Sequence, residues 1–192
     1  MYTSFENVQK CSVMKIRFTI FKANCLEGIS AEEFEQENCP IYGFFEMQFN
    51  CHREGEYFDF PVPDDYLGGE SLSYWFESLL EILHLFQNKK TNYATIRVIE
   101  CTDRWIEIKK IQDKICLNVA IAKDAGDVPI TSRLRDAIYE PPLDTIENYD
   151  SFYREIIRAV TEYLSKIKAL NPNLMKTSEV VRISNYLHDL EN

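Results

Sequence analysis

Apolar side chains recur at three- and four-residue steps through residues 71–86, SLSYWFESLLEILHLF. Leu72, Trp75, Phe76, Leu79, Leu80, Ile82, Leu83 and Phe86 fall on one side of a helix, and Glu77, Glu81, His84 and Asn88 on the other. Burying those eight side chains contributes on the order of 10–20 kcal/mol before entropy is subtracted, so this helix is expected to organise the core. Upstream the period changes to two. Met14, Ile16, Phe18 and Ile20 alternate with Lys15, Arg17 and Thr19, which predicts a half-buried strand over 14–21. Residues 41–49 (IYGFFEMQF) read as a second strand, 50–56 with Gly55 as a hairpin loop, and 57–60 as a third strand. Between the first two strands, Ser30-Ala-Glu-Glu33 is a capping box that opens a short acidic helix, stopped by Pro40.

Downstream of the central helix, residues 94–100, 105–111 and 115–122 read as three strands. Thr102-Asp103 and Gln112-Asp113 occupy the tight turns of an antiparallel meander. Residues 123–147, with Gly126, Pro129, Pro141 and Pro142, read as irregular apart from one helical turn at 132–138. Amphipathic helices follow over 151–170 and 177–190. Strands grouped ahead of helices predict an α+β domain over 14–192: an antiparallel sheet of about six strands packed on the central helix, with two further helices at the C-terminus. Residues 1–13 read as a flexible arm.

Composition narrows the class. A chain of 192 residues with 45% hydrophobic residues is large enough for one sizeable core. No uncharged run approaches the roughly 20 residues needed to span a bilayer, and the N-terminus lacks a signal-peptide layout, so a soluble, cytoplasmic protein without membrane contact is expected. The six cysteines, at 11, 25, 39, 51, 101 and 116, form no C-x-x-C pair and read as free thiols. The net charge is −10, and it is concentrated. Residues 27–70 hold twelve acids and one base, Arg53, a net −11 in 44 residues. Nucleic acid is therefore excluded as a direct ligand, because phosphate binding needs clustered Lys and Arg. A basic partner is the natural complement.

Chemistry-bearing motifs are sparse. Glu81-x-x-His84 is half of a carboxylate-bridged di-metal motif, but neither His52 nor His188 has a glutamate three residues before it; a solvated helix face accounts for the pair. Cys51-His52-x-Glu54 has no second ligand pair downstream. Asp64 followed by Glu107-Ile-Lys109 fits a loose metal-dependent nuclease pattern, yet Glu-x-Lys is also what alternation gives on any exposed strand face. Phosphate loops and G-x-S-x-G are absent, and no cofactor is expected. An enzyme alternative, a metal-dependent hydrolase, would draw paired carboxylates from Asp59, Asp64, Asp65 and Glu46. A third alternative is a subunit that dimerises through the apolar face of 177–190.

The leading expectation rests on the acidic segment. Glu32, Glu33, Glu35, Glu37, Glu46, Glu54, Glu56, Asp59, Asp64 and Asp65 surround Tyr42, Phe44, Phe45, Phe49, Tyr57, Phe58, Phe60 and Tyr66. Acids that steer encounter around aromatics that anchor it make a protein interface. The run Trp75-Phe76-Glu77-Ser78-Leu79-Leu80, followed by the hairpin Trp105-Ile106-Glu107-Ile108 to Ile115-Cys-Leu-Asn-Val119, resembles the layout of small acidic bacterial immunity proteins over residues 40–122. That resemblance implies a non-enzymatic protein that neutralises a basic toxin by covering its active site.

Overall fold

A computed structural model describes residues 14–21, 26–37, 40–49, 52–58, 69–98, 103–123 and 129–192. The architecture is α+β, with two four-stranded antiparallel sheets and four helices among the described residues. In the first sheet β1 (Lys15–Ile20), β2 (Tyr42–Phe49) and β3 (His52–Glu56) lie in that order. A two-residue β4 (Glu70–Ser71) joins β2 on the edge that β3 occupies further along. The second sheet is the meander β5 (Tyr93–Arg97), β6 (Arg104–Ile111) and β7 (Lys114–Ile121), extended by β8 (Ile138–Asn148). The α+β class with antiparallel pairing is as expected; in detail, the described strands number eight and form two sheets where a single sheet of about six was expected.

The central helix α2 (Leu72–Gln87) buries all eight side chains of its apolar stripe. Trp75 stacks on Phe45 of β2 at 4.5 Å, and Phe76 meets Phe18 of β1 edge-on at 5.1 Å. One face of the second sheet enters the same core through Ile96, Ile106, Ile108, Leu117 and Val119. Its other face carries a smaller cluster in which Trp105 and Ala120 lie beneath Ile130 and Leu134. Two hydrogen bonds fasten that covering segment: Thr95 N–H donates to the Ile130 carbonyl (3.0 Å), and Leu134 N–H to the Tyr93 hydroxyl (3.1 Å).

The helix α3 (Tyr149–Leu170) starts where the Asn148 side chain accepts from the N–H groups of Asp150 and Ser151, leaving two fewer orphan donors in the first turn. From its second and third turns it reaches the outer edge of β1. Ile16 N–H donates to Glu155 Oε1 (2.8 Å), and Arg158 Nη2 donates to the Ile16 carbonyl (2.8 Å). Asn171 ends α3 and caps the 3-10 turn Pro172–Lys176. Its amide also donates to the carbonyls of Leu26 and Ile29, tying down the approach to α1 (Ala31–Glu37). The last helix, α4 (Ser178–Glu191), packs on α2 and lays Val180, Ile183 and Leu190 into the core, with Leu187 partly buried beside them.

Two local readings need correction. Residues 52–56 are strand, not loop: β3 pairs with β2 from Phe49↔His52 onward. Gly55 stands inside that strand at φ +81°, where a Cβ would come within 2.1 Å of the Phe45 carbonyl oxygen; it marks a close approach of two backbones. The second correction is β8. Its two prolines argue against a central strand; β8 is an edge strand, and they fall where its pairing with β7 skips between Val119↔Glu140 and Leu117↔Thr145, so their missing N–H groups cost no ladder bond. No helical turn forms over 132–138. The arm 1–13 and the third strand's expected end at 59–60 lie outside the described residues.

Candidate functional site

The acidic segment separates into three groups. The first is α1. Ser30 Oγ accepts from Glu33 N–H (3.2 Å), and Glu33 Oε2 accepts from Ser30 N–H (3.0 Å) and Oγ–H (2.8 Å), which is the predicted capping box. The backbone and side-chain bonds from Ser30 hold the Glu33 carboxyl below the usual carboxylate range. Phe34 is buried and anchors the helix, while Glu32, Glu33, Glu35 and Glu37 are exposed. No basic residue interrupts Ala31–Glu37. Glu35 also accepts from the backbone N–H of Ser178, at the start of α4.

The second group is internal. Glu46, 4% exposed, receives Arg17 Nε (3.0 Å) and Nη2 (2.6 Å), and Arg17 lies 4.5 Å over the Tyr57 ring. Glu54, 3% exposed, receives a two-pronged pair from Arg104 of β6 (2.9 and 2.8 Å). These two acids, expected among the partner-binding set, are occupied by the chain's own arginines, and Glu46 is equally unavailable to a hydrolytic site. The third group is Glu56, exposed at the end of β3. Asp59, Asp64 and Asp65 lie outside the described residues.

The aromatics divide in the same way. Phe45 and Phe49 are fully buried, and Phe44 is buried between Phe21 (4.8 Å) and Phe58 (4.9 Å). Tyr42 and Phe58 are exposed, at 48% and 36%. Phe60 and Tyr66 are outside the described residues.

The remaining motifs resolve into packing. Glu107 of the Glu-x-Lys pattern is fully buried on the outer face of the second sheet. Burial pushes its carboxyl up, but donation from Lys109 Nζ (2.5 Å), Tyr139 Oη (2.8 Å) and Asn118 Nδ2 (3.2 Å) more than reverses this, leaving it below the usual range. Every donor is internal, so this carboxylate serves the sheet. The sequence signal for the cluster is Asn118, a lone amide in the apolar run of β7, directly opposite Glu107 in register. His84 rests against Tyr186 at 5.9 Å, and burial, reinforced by Glu77, raises the Glu81 carboxyl. His52 lies against Phe49 at 5.5 Å. Cys116 is buried, and its sulfur lies 3.9 Å from the Asn118 Nδ2 donor; the other five cysteines lie outside the described residues. Among the described residues no group of three or more His, Cys, Asp or Glu side chains is placed to hold a metal ion, and no helix is long and apolar enough to cross a membrane.

Comparison with protein-family models, with curated proteins and with solved structures finds no match for this chain.

Proposed function

We propose that this chain is a non-enzymatic protein-binding module whose acidic face on α1 steers a basic protein partner. The observation that carries the reading is α1 itself. Its four glutamates stand in solvent within seven residues, with no base among them, on a helix fixed by a buried Phe34. One-signed charge on an ordered element accelerates encounter with an oppositely charged surface and does so in a salt-dependent way. Exposed Glu56, Tyr42 and Phe58 belong to the same stretch of sequence and supply further acid and aromatic contact area. The resemblance to immunity proteins makes a basic toxin the partner class.

The test is affinity capture from native host lysate at low and high salt, followed by association kinetics with the captured protein. One stoichiometric basic partner should be retained at low salt. Reversing Glu32 and Glu37 to Lys should lower its on-rate and flatten its salt dependence. An on-rate indifferent to both changes would remove α1 from the interface.

A further inference from the structure

A further cluster of carboxylates meets where α1, α2 and α4 converge, and one of its oxygens is buried without a partner. Glu179, in the first turn of α4, has its Oε1 buried without a hydrogen bond. Its carboxyl receives the hydroxyl of Ser73 on α2, and Ser73 Oγ lies 2.9 Å from the fully buried Tyr163 hydroxyl of α3. The charged neighbours are of both signs. Glu35 faces it from α1 and Glu77 from α2. The cation Arg182, on α4 itself, is engaged by Glu77 at 2.7 Å. Lys176, from the 3-10 turn, lies along α1 beside Glu32 and Glu35.

An ionised carboxylate with a buried, unpaired oxygen and two acidic neighbours is costly, whereas a protonated one sheds both the desolvation and the repulsion. The same junction seats α1, because Glu35 accepts from the N–H of Ser178, the residue immediately before Glu179. We propose that this junction is a proton-controlled latch: Glu179 is protonated while α1 is seated on the start of α4, and its ionisation as pH rises loosens that seat. Burial places the Glu179 carboxyl above its ordinary value of 4.5, against the opposing pull of Ser73 and Arg182 and with smaller help from Glu77 and Glu35. The sign follows from linkage. Between 4.5 and the folded-state midpoint the folded chain keeps a proton that the unfolded chain has released, so stability falls as pH rises through that window. Each unit of separation corresponds to a tenfold change in the unfolding constant. The latch stands independently of whether α1 binds a partner.

The experiment is a carboxyl-carbon NMR titration of the full chain from pH 4 to 8, with the Glu179 signal assigned by its loss in Glu179→Gln, and with the Ser178 and α1 amides followed in parallel. Glu179 should titrate above the ordinary carboxylate range, the Ser178 amide should shift with the same midpoint, and Glu179→Gln should abolish that shift. Glu77→Gln, which removes a like charge and frees Arg182, should lower the midpoint; it also tests the latch should Glu179→Gln not fold. Titration of Glu179 in the ordinary range, a Ser178 amide indifferent to it, or a midpoint unmoved by Glu77→Gln would each overturn the proposal.

Discussion

Glu54 of β3 and Arg104 of β6 join the two sheets through a two-pronged ion pair, with the carboxylate 3% exposed and both contacts under 3 Å. Arg104 also donates through Nη1 to Glu140, at 2.6 Å, in a more open setting. Arg104→Ala would strand a buried carboxylate and is expected to cost about 3–5 kcal/mol. Glu140→Gln removes a partly exposed partner and should cost at most about 1 kcal/mol. Urea unfolding of the two variants measures the contrast, and equal losses would show that Arg104 does not serve as the tie between the sheets.

The buried Glu107 gives the acid side of the stability profile its shape. Its folded-state carboxyl lies below 4.5, so the stability it confers is present above 4.5 and is lost as pH falls through the depressed value. Glu107→Gln should therefore destabilise by about 1–3 kcal/mol at pH 7, and the gap from the parent should close as the medium becomes acid. A gap that is constant from pH 7 to 3 would mean that the charge of Glu107 is not what its three donors stabilise.

Two glycines share a left-handed backbone but differ in their surroundings. Gly28, at φ +85°, has nothing within 4 Å of where a Cβ would stand, whereas at Gly55 the nearest atom is a backbone oxygen at 2.1 Å. Alanine at 28 should cost about 1 kcal/mol, the conformational penalty alone. Alanine at 55 must also push β2 and β3 apart and should cost about 3 kcal/mol or more. Thermal melts of the two variants rank them directly, and similar losses would contradict the close approach of the strands.

Charge reversal on α1 is not uniform in its consequences. Glu32 reports on encounter with a partner, but Glu33 closes the capping box and Glu35 accepts from the N–H of Ser178. Lysine at 33 or 35 should lower thermal stability in the absence of any partner, while lysine at 32, whose contact with Gln36 Nε2 is exposed and long at 3.5 Å, should leave the melt within a degree or two. Circular dichroism melts of the three single variants separate Glu32 from the other two, and a melt that drops equally for all three would remove the distinction.

The helices were legible because a 3.6-residue stripe survives inspection of one strand of text: every apolar residue read onto the central helix is buried. Residues 52–56 were not, because Gly55 carries the same letter in a turn and in a strand that another backbone crowds. β8 was hidden by Pro141-Pro142, whose meaning depends on whether a neighbour lies on that side of the strand. The acidic segment misled in a similar way. Glu54 shares a sheet face with Met47, its partner in register, and so points into the interior, where an arginine fifty residues away answers it. Charge counts along the chain record that such acids exist but carry no trace of the cation that meets them. Glu179 was missed altogether, since Ser73 and Glu77 of α2 and Glu35 of α1, the groups it meets outside its own helix, lie far away in the sequence.

The clip that α3 places on β1 has a temporal side. Ile16 and Glu155 are 139 residues apart, so at roughly 5–20 residues per second a ribosome takes roughly 7–28 s to make the side chains that occupy the outer edge of the first strand. During that interval β1 can pair with β2, but the backbone groups of Ile16 remain open to any extended chain nearby. The nascent chain thus spends most of its synthesis with a vacancy at one sheet edge, and the last third of the polypeptide, beyond supplying core, acts as the chaperone of the first.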